Sequence, residues 1–488
     1  MASTLSKQQQ KQALLKIEEE EEEETYRFPP LSPLSEYINS SALSIPIIGV
    51  YELEIPMSKS QTFDFLRDVF IPIHSRFSSI IVKDKKGIQR WKRVDVMIDD
   101  HIFVPTFSTA GLSSQDYDDL LEEYLSKIIL EPQPNTRPLW DVHVFMYPTS
   151  NAAGTLIFKI NHAIGDGYSL MAGLFSIYKR ADNPSLPLTF PDVAPRMTKY
   201  TSKWKKVKGL VSMCINTFTD SAWSVLQGTI MEDGKTAIRS ANPRVEFEPI
   251  SVQTVVYSLD ELKRIQSNVG GTVNEVITGV ISYAIQLYMQ KTGNVSNGER
   301  MTALVVMNAR MLKGFNTVGD MLKANIWGNH FSFLHVMLPS KFKDLKNMDP
   351  MDFVVQAKDE MRRRRNSMAL YLTRRILGVF RKIGGPEAAA RHVYSIWNNT
   401  SVTISSLVGP SQKMAIASHP INNFYFTLAG VPQSLVFTIV SYMGKLRVVV
   451  RTQKSFINCR LFVSCMNEAY ENISEAAFGM DTHHKISN

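Results

Sequence analysis

The stretch Lys159–Leu170 reads KINHAIGDGYSL and joins an apolar strand pattern to an apolar helix pattern. An imidazole titrates near neutral pH, so His162 can accept a proton from a hydroxyl group and return it to a leaving group. Gly165 and Gly167 allow a tight turn and leave space beside that ring. Asp166 can either contact the histidine or pair with a cation that fixes the turn. Taken alone, the spacing is equally typical of a histidine satisfied in a polar turn.

Composition limits the classes of protein that this motif can belong to. The chain has 488 residues, of which 44% are hydrophobic, and this is typical of two globular domains or one large pseudo-symmetric unit. The net charge of +8 favours anionic partners. Nucleic acid is not predicted, because basic residues do not alternate with aromatic ones and zinc-finger spacing is absent. The histidines have no metal-ligand spacing and the three cysteines form no disulfide framework, so we predict no metal and a reducing environment.

Patterning along the chain predicts two lobes with alternating strands and helices. The predicted segments are a disordered acidic tail over 1–27, a first lobe over 28–194, a crossover segment over 195–245, a second lobe over 246–480 and a tail over 481–488. The crossover segment begins basic and turns apolar. It is either a helix packed on the lobes or a helix lying in a membrane surface through Trp204, Phe218 and Trp223, and the sequence leaves contact over 204–231 undecided.

Several segments resemble one known family in the same order along the chain. The motif NHAIGDG (161–167) resembles the HHxxxDG motif of acyl-CoA-dependent acyltransferases. The segments RPLWDVHV (137–144), TVNEVI (272–277), VVMNAR (305–310) and IWGNHF (326–331) resemble segments of the plant wax ester synthase/diacylglycerol acyltransferases. The chain departs from that family at Asn161, where a first histidine is usual, and at Glu275, where aspartate is usual.

This resemblance implies a fold and a reaction. The expected fold is an α/β, two-lobed chloramphenicol-acetyltransferase-like structure with a tunnel between pseudo-equivalent lobes. The expected enzyme is an acyltransferase that moves a fatty acyl group from acyl-CoA, a co-substrate, to a long-chain alcohol or to diacylglycerol, without a cofactor. The acceptor would attack the thioester directly, with His162 as general base and no acyl-enzyme.

The resemblance also assigns supporting roles. Asp166 would pair with Arg310 and keep the turn rigid. The oxyanion of the tetrahedral intermediate would be stabilised by Asn274 or by the segment Trp327, Gly328 and Asn329. Asn161 retains hydrogen-bonding capacity without proton chemistry, so it can replace a positioning histidine but not a base.

Two other functions remain open on sequence. One is a soluble single-histidine plant acyltransferase for phenolic or alkaloid alcohols, although the DFGWG-like motif of those enzymes is absent. The other is a catalytically silent protein that binds acyl-CoA or lipid, for which Asn161 and Glu275 are the sequence support. The resemblance implies peripheral attachment to the cytosolic face of the endoplasmic reticulum membrane, with the plasma membrane as a second location. The basic run Arg362–Arg365 is either a phosphate or anionic-lipid contact or a solvated helix face.

Overall fold

A computed structural model describes residues 29–85, 87–108, 111–190, 217–294, 298–309, 327–339, 348–365 and 369–484. The predicted tail over 1–27, Trp204 and Arg310 lie outside these ranges. The strands are β1 Pro46–Leu53, β2 Ser79–Lys83, β3 Gln89–Arg93, β4 Ile102–Phe103, β5 Trp140–Phe145, β6 Gly154–Asn161, β7 Lys179–Arg180, β8 Ile250–Ser258, β9 Met301–Asn308, β10 Phe331–Leu338, β11 Val402–Val408, β12 Met414–Ile416, β13 His419–Leu428, β14 Leu435–Tyr442 and β15 Lys445–Gln453.

Helices cover the sheets and connect the lobes. They are α1 Pro33–Tyr37, α2 Lys59–Phe65, α3 Ser114–Leu130, α4 Gly167–Ile177, α5 Leu259–Val269, α6 Val273–Lys291, α7 Met351–Arg365, α8 Ala369–Asn398 and α9 Cys459–His484, with a further helix over 217–227 that we call the crossover helix. Within the described ranges, every helix is too short or too polar to span a bilayer. The helix α9 reaches into the stretch over 481–488 that the sequence predicts to be a tail.

Local sequence explains where several of these helices begin. Ser113 accepts a hydrogen bond from the backbone of Asp116, whose side chain binds back to the backbone of Ser113 in a capping box at the start of α3. Thr272 and Glu275 form the same arrangement at the start of α6. Serine or threonine followed three residues later by an acid satisfies donors that a helix end leaves free, and this explains why α3 and α6 begin where they do.

Two sheets form the centres of the two lobes. The first has the strand order β4-β5-β6-β1-β13-β12-β7, and the second has the order β10-β9-β11-β14-β15-β8. Antiparallel pairing with β5 on one side and β1 on the other places β6 inside the first sheet, where every residue of this strand is buried. One apolar core surrounds the first sheet, and a second core lies between the other sheet and helices α6, α7 and α9. The two-lobed α/β prediction is confirmed.

The boundary between the lobes needs a correction. The prediction assigned 246–480 to the second lobe, but β12 and β13 of that segment pair within the first sheet. The two strands are joined by Ala417 and Ser418, both with positive φ, so the chain reverses tightly inside the first sheet. The lobes are therefore interleaved through β12 and β13, and they are not two consecutive halves of the chain.

The basic run at the end of α7 is largely consumed by ion pairs within the protein. Arg364 lies 2.6 Å from Asp220 of the crossover helix, and Arg365 lies 2.5 Å from the buried Glu275. Arg363 also contacts Asp220, at 3.3 Å. Arg364 is buried, so neither interpretation of this run from sequence applies to it, whereas Arg362 and Arg365 remain exposed at the helix surface. The ion pairs hold the crossover helix and the start of α6 against α7.

Candidate active site

The histidine motif lies where the first sheet meets the second lobe. The strand β6 ends at Asn161, and α4 begins at Gly167 after a connection of five residues that carries His162. Asp166 is the N-cap of α4, and its side chain accepts a hydrogen bond from the backbone N–H of Ser169 at 2.9 Å. A buried strand and a capped helix therefore hold both ends of the turn, which is a rigid support for a reactive side chain.

Asn329 fixes the orientation and the tautomer of His162. Its amide nitrogen donates to the backbone oxygen of His162 and to Ser35 Oγ, both at 2.8 Å. Because a backbone oxygen can only accept, the amide nitrogen must face it, and the amide oxygen then lies 2.7 Å from His162 Nδ1. The ring must donate to that oxygen, so the proton is on Nδ1 and the lone pair is on Nε2.

The ring of His162 is buried beside an apolar cavity of about 610 Å³, which we call the reaction cavity. Its walls come from both lobes and include Ile45, Leu407, Phe331 and Phe426. Burial lowers the pKa of His162 from its ordinary value, while the charge of Asp166 and the hydrogen bond to Asn329 oppose this shift. The imidazole is therefore neutral at pH 7 and able to accept a proton there.

Asp166 connects the turn to the segment that carries Asn329. Its second carboxylate oxygen accepts a hydrogen bond from the backbone N–H of His330 at 2.8 Å. The neighbouring Arg76 donates to the backbone oxygen of Ile164 at 2.8 Å, and the charge of Asp166 opposes the lowering of the Arg76 pKa to about 10 by burial. The rigidifying role predicted for Asp166 agrees with these contacts, whereas its predicted pair with Arg310 lies outside the described residues.

The predicted oxyanion donors are already engaged in hydrogen bonds. Trp327 Nε1 donates to the backbone oxygen of Ile164 at 2.6 Å, and Gly328 N donates to Ser169 Oγ at 3.0 Å. The amide of Asn329 is occupied as described above. An oxyanion needs a free donor, so the structure contradicts this role for the segment, which instead docks the second lobe onto the turn.

Asn274, the other predicted oxyanion donor, is exposed in the first turn of α6 and does not line the reaction cavity. Its neighbour Glu275 is fully buried, caps α6 and pairs with Arg365. The TVNE segment therefore has a helix-capping role in this chain. The structure does not place Asn274 beside His162.

The two glycines of the motif are needed for close approach of the lobes. A Cβ atom at Gly165 would lie 2.9 Å from the Ser169 Cβ and 3.2 Å from Trp327 Nε1. A Cβ atom at Gly167 would lie 3.1 Å from Leu407 of the second sheet. The side chain of any larger residue would push the second lobe away from the turn.

Asn161 faces away from the reaction cavity. Its side-chain oxygen accepts from the backbone N–H of Ala163 at 2.9 Å, and its nitrogen is 3.4 Å from Ser44 Oγ. It lines a separate polar cleft together with Ser44, Glu131 and Gln133. His162 directly follows Asn161, the last residue of β6. Successive side chains along an extended chain point to opposite faces, so His162 lines the reaction cavity and Asn161 lines the polar cleft.

Four polar residues of the reaction cavity were missed by the sequence prediction: Tyr168, Asn308, Ser405 and Ser406. In β11, Val402 and Ile404 belong to the second core, whereas Leu407 belongs to the core of the first lobe. Alternation therefore places Ser405 on the face of Leu407, which looks toward the histidine turn, and Ser406 on the opposite face. The SS pair in SSLVGP carried no local signal, because serine is common in strands and turns alike.

Across the described ranges, no group of three histidine, cysteine, aspartate or glutamate side chains is placed to hold a metal ion. The described side chains around His162 can act on a substrate by proton transfer and hydrogen bonding. These are one neutral imidazole, its amide partner and a set of hydroxyl groups in an apolar cavity. Such a set can remove a proton from an alcohol and stabilise a developing negative charge.

Comparisons with known proteins agree with this arrangement. The model of the wax ester synthase/diacylglycerol acyltransferase catalytic domain matches residues 75–277, and the model of the C-terminal domain of the same family matches residues 327–474. Wax ester synthase/diacylglycerol acyltransferase 1 from Arabidopsis thaliana is 28% identical over 94% of this chain and 97% of its own length. Family member 4 from the same plant is 25% identical over 88% of this chain and 86% of its own length.

Solved structures share the fold. The wax ester synthase/diacylglycerol acyltransferase from Marinobacter aquaeolei VT8 matches 92% of this chain and 100% of its own, with a TM-score of 0.59 and 14% identity. The starter condensation domain of rhizomide synthetase RzmA, solved in complex with C8-CoA and Leu-SNAC, matches 92% and 90% with a TM-score of 0.52 and 13% identity. These likenesses confirm the chloramphenicol-acetyltransferase-like architecture. Together with the two matched domain models, they show that the chain belongs to the wax ester synthase/diacylglycerol acyltransferase family and is an acyltransferase.

Proposed function

We propose that the protein transfers a fatty acyl group from acyl-CoA to a long-chain alcohol or to diacylglycerol, with His162 as general base. The observation that carries this proposal is the His162–Asn329 hydrogen bond, because it leaves Nε2 unprotonated in an apolar cavity. The C8-CoA bound to the starter condensation domain of RzmA supports an acyl thioester as the donor.

The proposed reaction needs no group beyond the two substrates and these side chains. The acceptor oxygen attacks the thioester carbonyl carbon while its proton moves to His162 Nε2. The tetrahedral oxyanion then collapses, the carbon–sulfur bond breaks, and the proton moves from Nε2 to the departing thiolate. The proton on His162 Nδ1 stays there and keeps its hydrogen bond to Asn329 Oδ1, so the ring remains oriented when it becomes positively charged.

We assign the oxyanion to Ser405. Its hydroxyl lies on the strand face directed toward the histidine turn, and it lines the reaction cavity with His162. A hydroxyl donor in a cavity with apolar walls stabilises developing charge more strongly than the same donor in water. Ser406 lines the same cavity, but its side chain alternates to the other face of β11, so it serves as a comparison for the direction of the hydroxyl.

The two residues that suggested a catalytically silent homologue have structural roles here. Asn161 binds the turn backbone on the side away from the reaction cavity. Glu275 caps α6 and forms an ion pair with Arg365. Neither change removes a group from the proposed proton path.

The test is an acyl-transfer assay of the purified full-length chain with palmitoyl-CoA and three acceptors: hexadecanol, diacylglycerol and a phenolic alcohol. Formation of wax ester or triacylglycerol with release of CoA is expected. Ester formation with the phenolic alcohol alone would indicate the soluble type of acyltransferase. Saturable palmitoyl-CoA binding with no ester from any acceptor would contradict the proposed enzyme.

We also propose peripheral attachment to the cytosolic face of the endoplasmic reticulum membrane. The crossover helix and the turn after it expose Phe218 and Ile230, and α8 exposes Ile383, each with more than three quarters of its surface accessible (76%, 79% and 83%). The basic side chain of Lys382 is exposed beside Ile383, and that of Arg391 is exposed after the break in α8 at Gly384 and Gly385. Apolar side chains with a basic surround suit an anionic bilayer surface.

Flotation with vesicles of phosphatidylcholine, with and without phosphatidylserine, tests this attachment. The wild-type chain should float with the vesicles, more strongly when phosphatidylserine is present, and the variant Phe218→Ser/Ile230→Ser/Ile383→Ser should float less. Equal flotation of the two proteins would contradict the assigned surface. Fluorescent fusions in plant cells would test the endoplasmic reticulum against the plasma membrane.

A further inference from the structure

A second apolar cavity lies next to the reaction cavity, between α1, β10 and α8. Its empty volume is about 1020 Å³, and we call it the chain pocket. Its apolar walls are formed by Leu34, Tyr37, Phe333, Leu377, Val393 and Ile396. A polar ligand would lose hydrogen bonds to water at such walls without replacing them, whereas an alkyl chain gains from leaving water.

The chain pocket adjoins the catalytic machinery through two residues. Phe331 lines both cavities, and its ring meets the ring of His162 edge-on at a centroid distance of 5.3 Å. Asn329, the partner of His162 Nδ1, also lines the chain pocket. The two cavities therefore adjoin at Phe331, and this places the chain pocket within reach of a substrate held beside His162.

The charged side chain of Arg381 in the wall of the chain pocket is neutralised within the protein. Its guanidinium is 3.1 Å from the carboxylate of Glu36 in α1. Burial raises the pKa of Glu36, and the charge of Arg381 opposes this shift. The ion pair links α1 to α8 across the pocket, so it fixes the separation of the two walls and leaves the interior to apolar contacts.

We infer that the chain pocket binds the unbranched alkyl chain of one substrate of His162. The inference rests on the proposed function for the identity of the two candidate chains, which are the acyl chain of the donor and the alkyl chain of the alcohol. Both present the same chemistry to the walls, so the experiment must separate them.

Gly378 gives a way to fill the pocket from its wall. A Cβ atom added there meets no atom within 4 Å, and the residue lies in the middle of a helix, where glycine is intrinsically unfavourable. Gly378→Phe should therefore fold and reduce the space for a chain. Gly479 in α9 is the matched control, because a Cβ atom there also meets nothing within 4 Å and the residue does not line the chain pocket.

The binding test uses the fluorescent fatty acid cis-parinaric acid and the full-length protein. Wild type and Gly479→Phe should bind it equally, and Gly378→Phe should bind at least tenfold more weakly with no fall in thermal midpoint. His162→Ala should retain the binding, so this result is independent of catalysis. Unchanged affinity in Gly378→Phe would overturn the inference, as would an equal loss in Gly479→Phe. If Gly378→Phe does not fold, Leu34→Trp from the opposite wall replaces it under the same criteria.

The catalytic arm identifies the chain. Rates are measured with acyl-CoAs of 8 to 18 carbons at fixed hexadecanol, and with alcohols of the same lengths at fixed palmitoyl-CoA. Gly378→Phe should lower the ratio of long-chain to short-chain rates at least tenfold in one series and leave the other within twofold. Loss in the acyl series assigns the pocket to the donor, and loss in the alcohol series assigns it to the acceptor. An equal response in both series, or in neither, would overturn the assignment to one substrate.

Discussion

The two sides of the end of β6 differ in what they can do chemically. His162 looks into a cavity with apolar walls from both lobes, where its Nδ1 is bound by Asn329 and its pKa is lowered by burial. Asn161, its neighbour in sequence, looks into a polar cleft and binds the backbone of the turn. Under the proposed function, His162 transfers the proton and its neighbour Asn161 supports the local structure.

This difference explains why an asparagine can stand where relatives usually carry a histidine. A side chain that binds a backbone N–H needs an acceptor, and an amide oxygen supplies it as well as an imidazole nitrogen. A base must also change its protonation state near neutral pH, and an amide does not. Under the proposed function, the difference between this chain and the family motif therefore lies at a position that takes no part in proton transfer.

The largest effect among the supporting residues is expected at Asn329. Asn329→Leu removes the acceptor of the Nδ1 proton, so the ring can rotate and adopt the wrong tautomer. Loss of tautomer control in a related arrangement costs up to roughly 10⁴-fold in kcat, and we expect roughly 10³-fold here. Steady-state kinetics with palmitoyl-CoA and hexadecanol measure the loss, and circular dichroism checks the fold. A variant within threefold of wild type would refute the role of Asn329.

The same hydrogen bond predicts a pH dependence. Burial lowers the pKa of His162, so the acid limb of kcat/KM in wild type should fall below pH 6.5, the ordinary value of a histidine. Asn329→Asp places a negative charge beside Nδ1 and should move that limb to higher pH. Because the folded pKa of His162 is depressed, its contribution to stability is present above pH 6.5 and is lost as the pH falls below it. An acid limb at the same pH in both proteins would contradict this assignment.

Ser405→Ala is expected to have the next largest effect. Loss of one oxyanion donor typically costs roughly 10²-fold or more in kcat, with little change in KM, because the donor acts on the transition state. Ser406→Ala should cost less than Ser405→Ala, since Ser406 lines the same cavity but its side chain alternates to the other face of β11. Equal losses in the two variants would show that the strand, and not the hydroxyl of Ser405, is responsible.

Asp166→Ala should affect stability more than chemistry. It removes the N-cap of α4, worth about 1 kcal/mol, and leaves the backbone N–H of His330 without its acceptor, which costs about 1–3 kcal/mol more. Urea unfolding should therefore give a free energy of unfolding lower by about 2–4 kcal/mol. A stable variant that lost only its rate would point to a direct part for Asp166 in the reaction.

The smallest effect is expected at Asn161. Asn161→His restores the residue that relatives usually carry, but on the side of the polar cleft, so kcat/KM should change less than threefold. The assay used for Asn329 measures it. A gain of tenfold or more would mean that the cleft side contributes to the reaction after all.

The features of the fold that the sequence predicted are those that neighbouring residues determine. The strand-to-helix turn at His162 and each of the family segments are recognised from residues a few positions apart. The entry of β13 into the first sheet did not follow, because strand pairing between segments hundreds of residues apart has no local signature. Its pairing with β1 is long-range in this sense.

The residues of the candidate site likewise fall into two groups: those found from a local motif and those that only the fold brings to the site. His162 and Asp166 were identified by their motif, whereas the amide that sets the tautomer lies 167 residues from the histidine. The WGN segment was recognised as important but given the wrong role, because only the fold reveals that its donors are occupied. Ser405 was missed for the same reason, since only the fold shows which cavity the side chain of a strand serine lines.

The central claim is that proton transfer belongs to His162 and not to its neighbour. The most direct measurement compares single-turnover ester formation from palmitoyl-CoA and hexadecanol by wild type, His162→Ala and Asn161→Ala, with thermal midpoints recorded on the same samples. We predict a loss of at least roughly 10³-fold in folded His162→Ala, within the range of a general base, and less than tenfold in Asn161→Ala. Ester formation by His162→Ala at the wild-type rate would contradict the account.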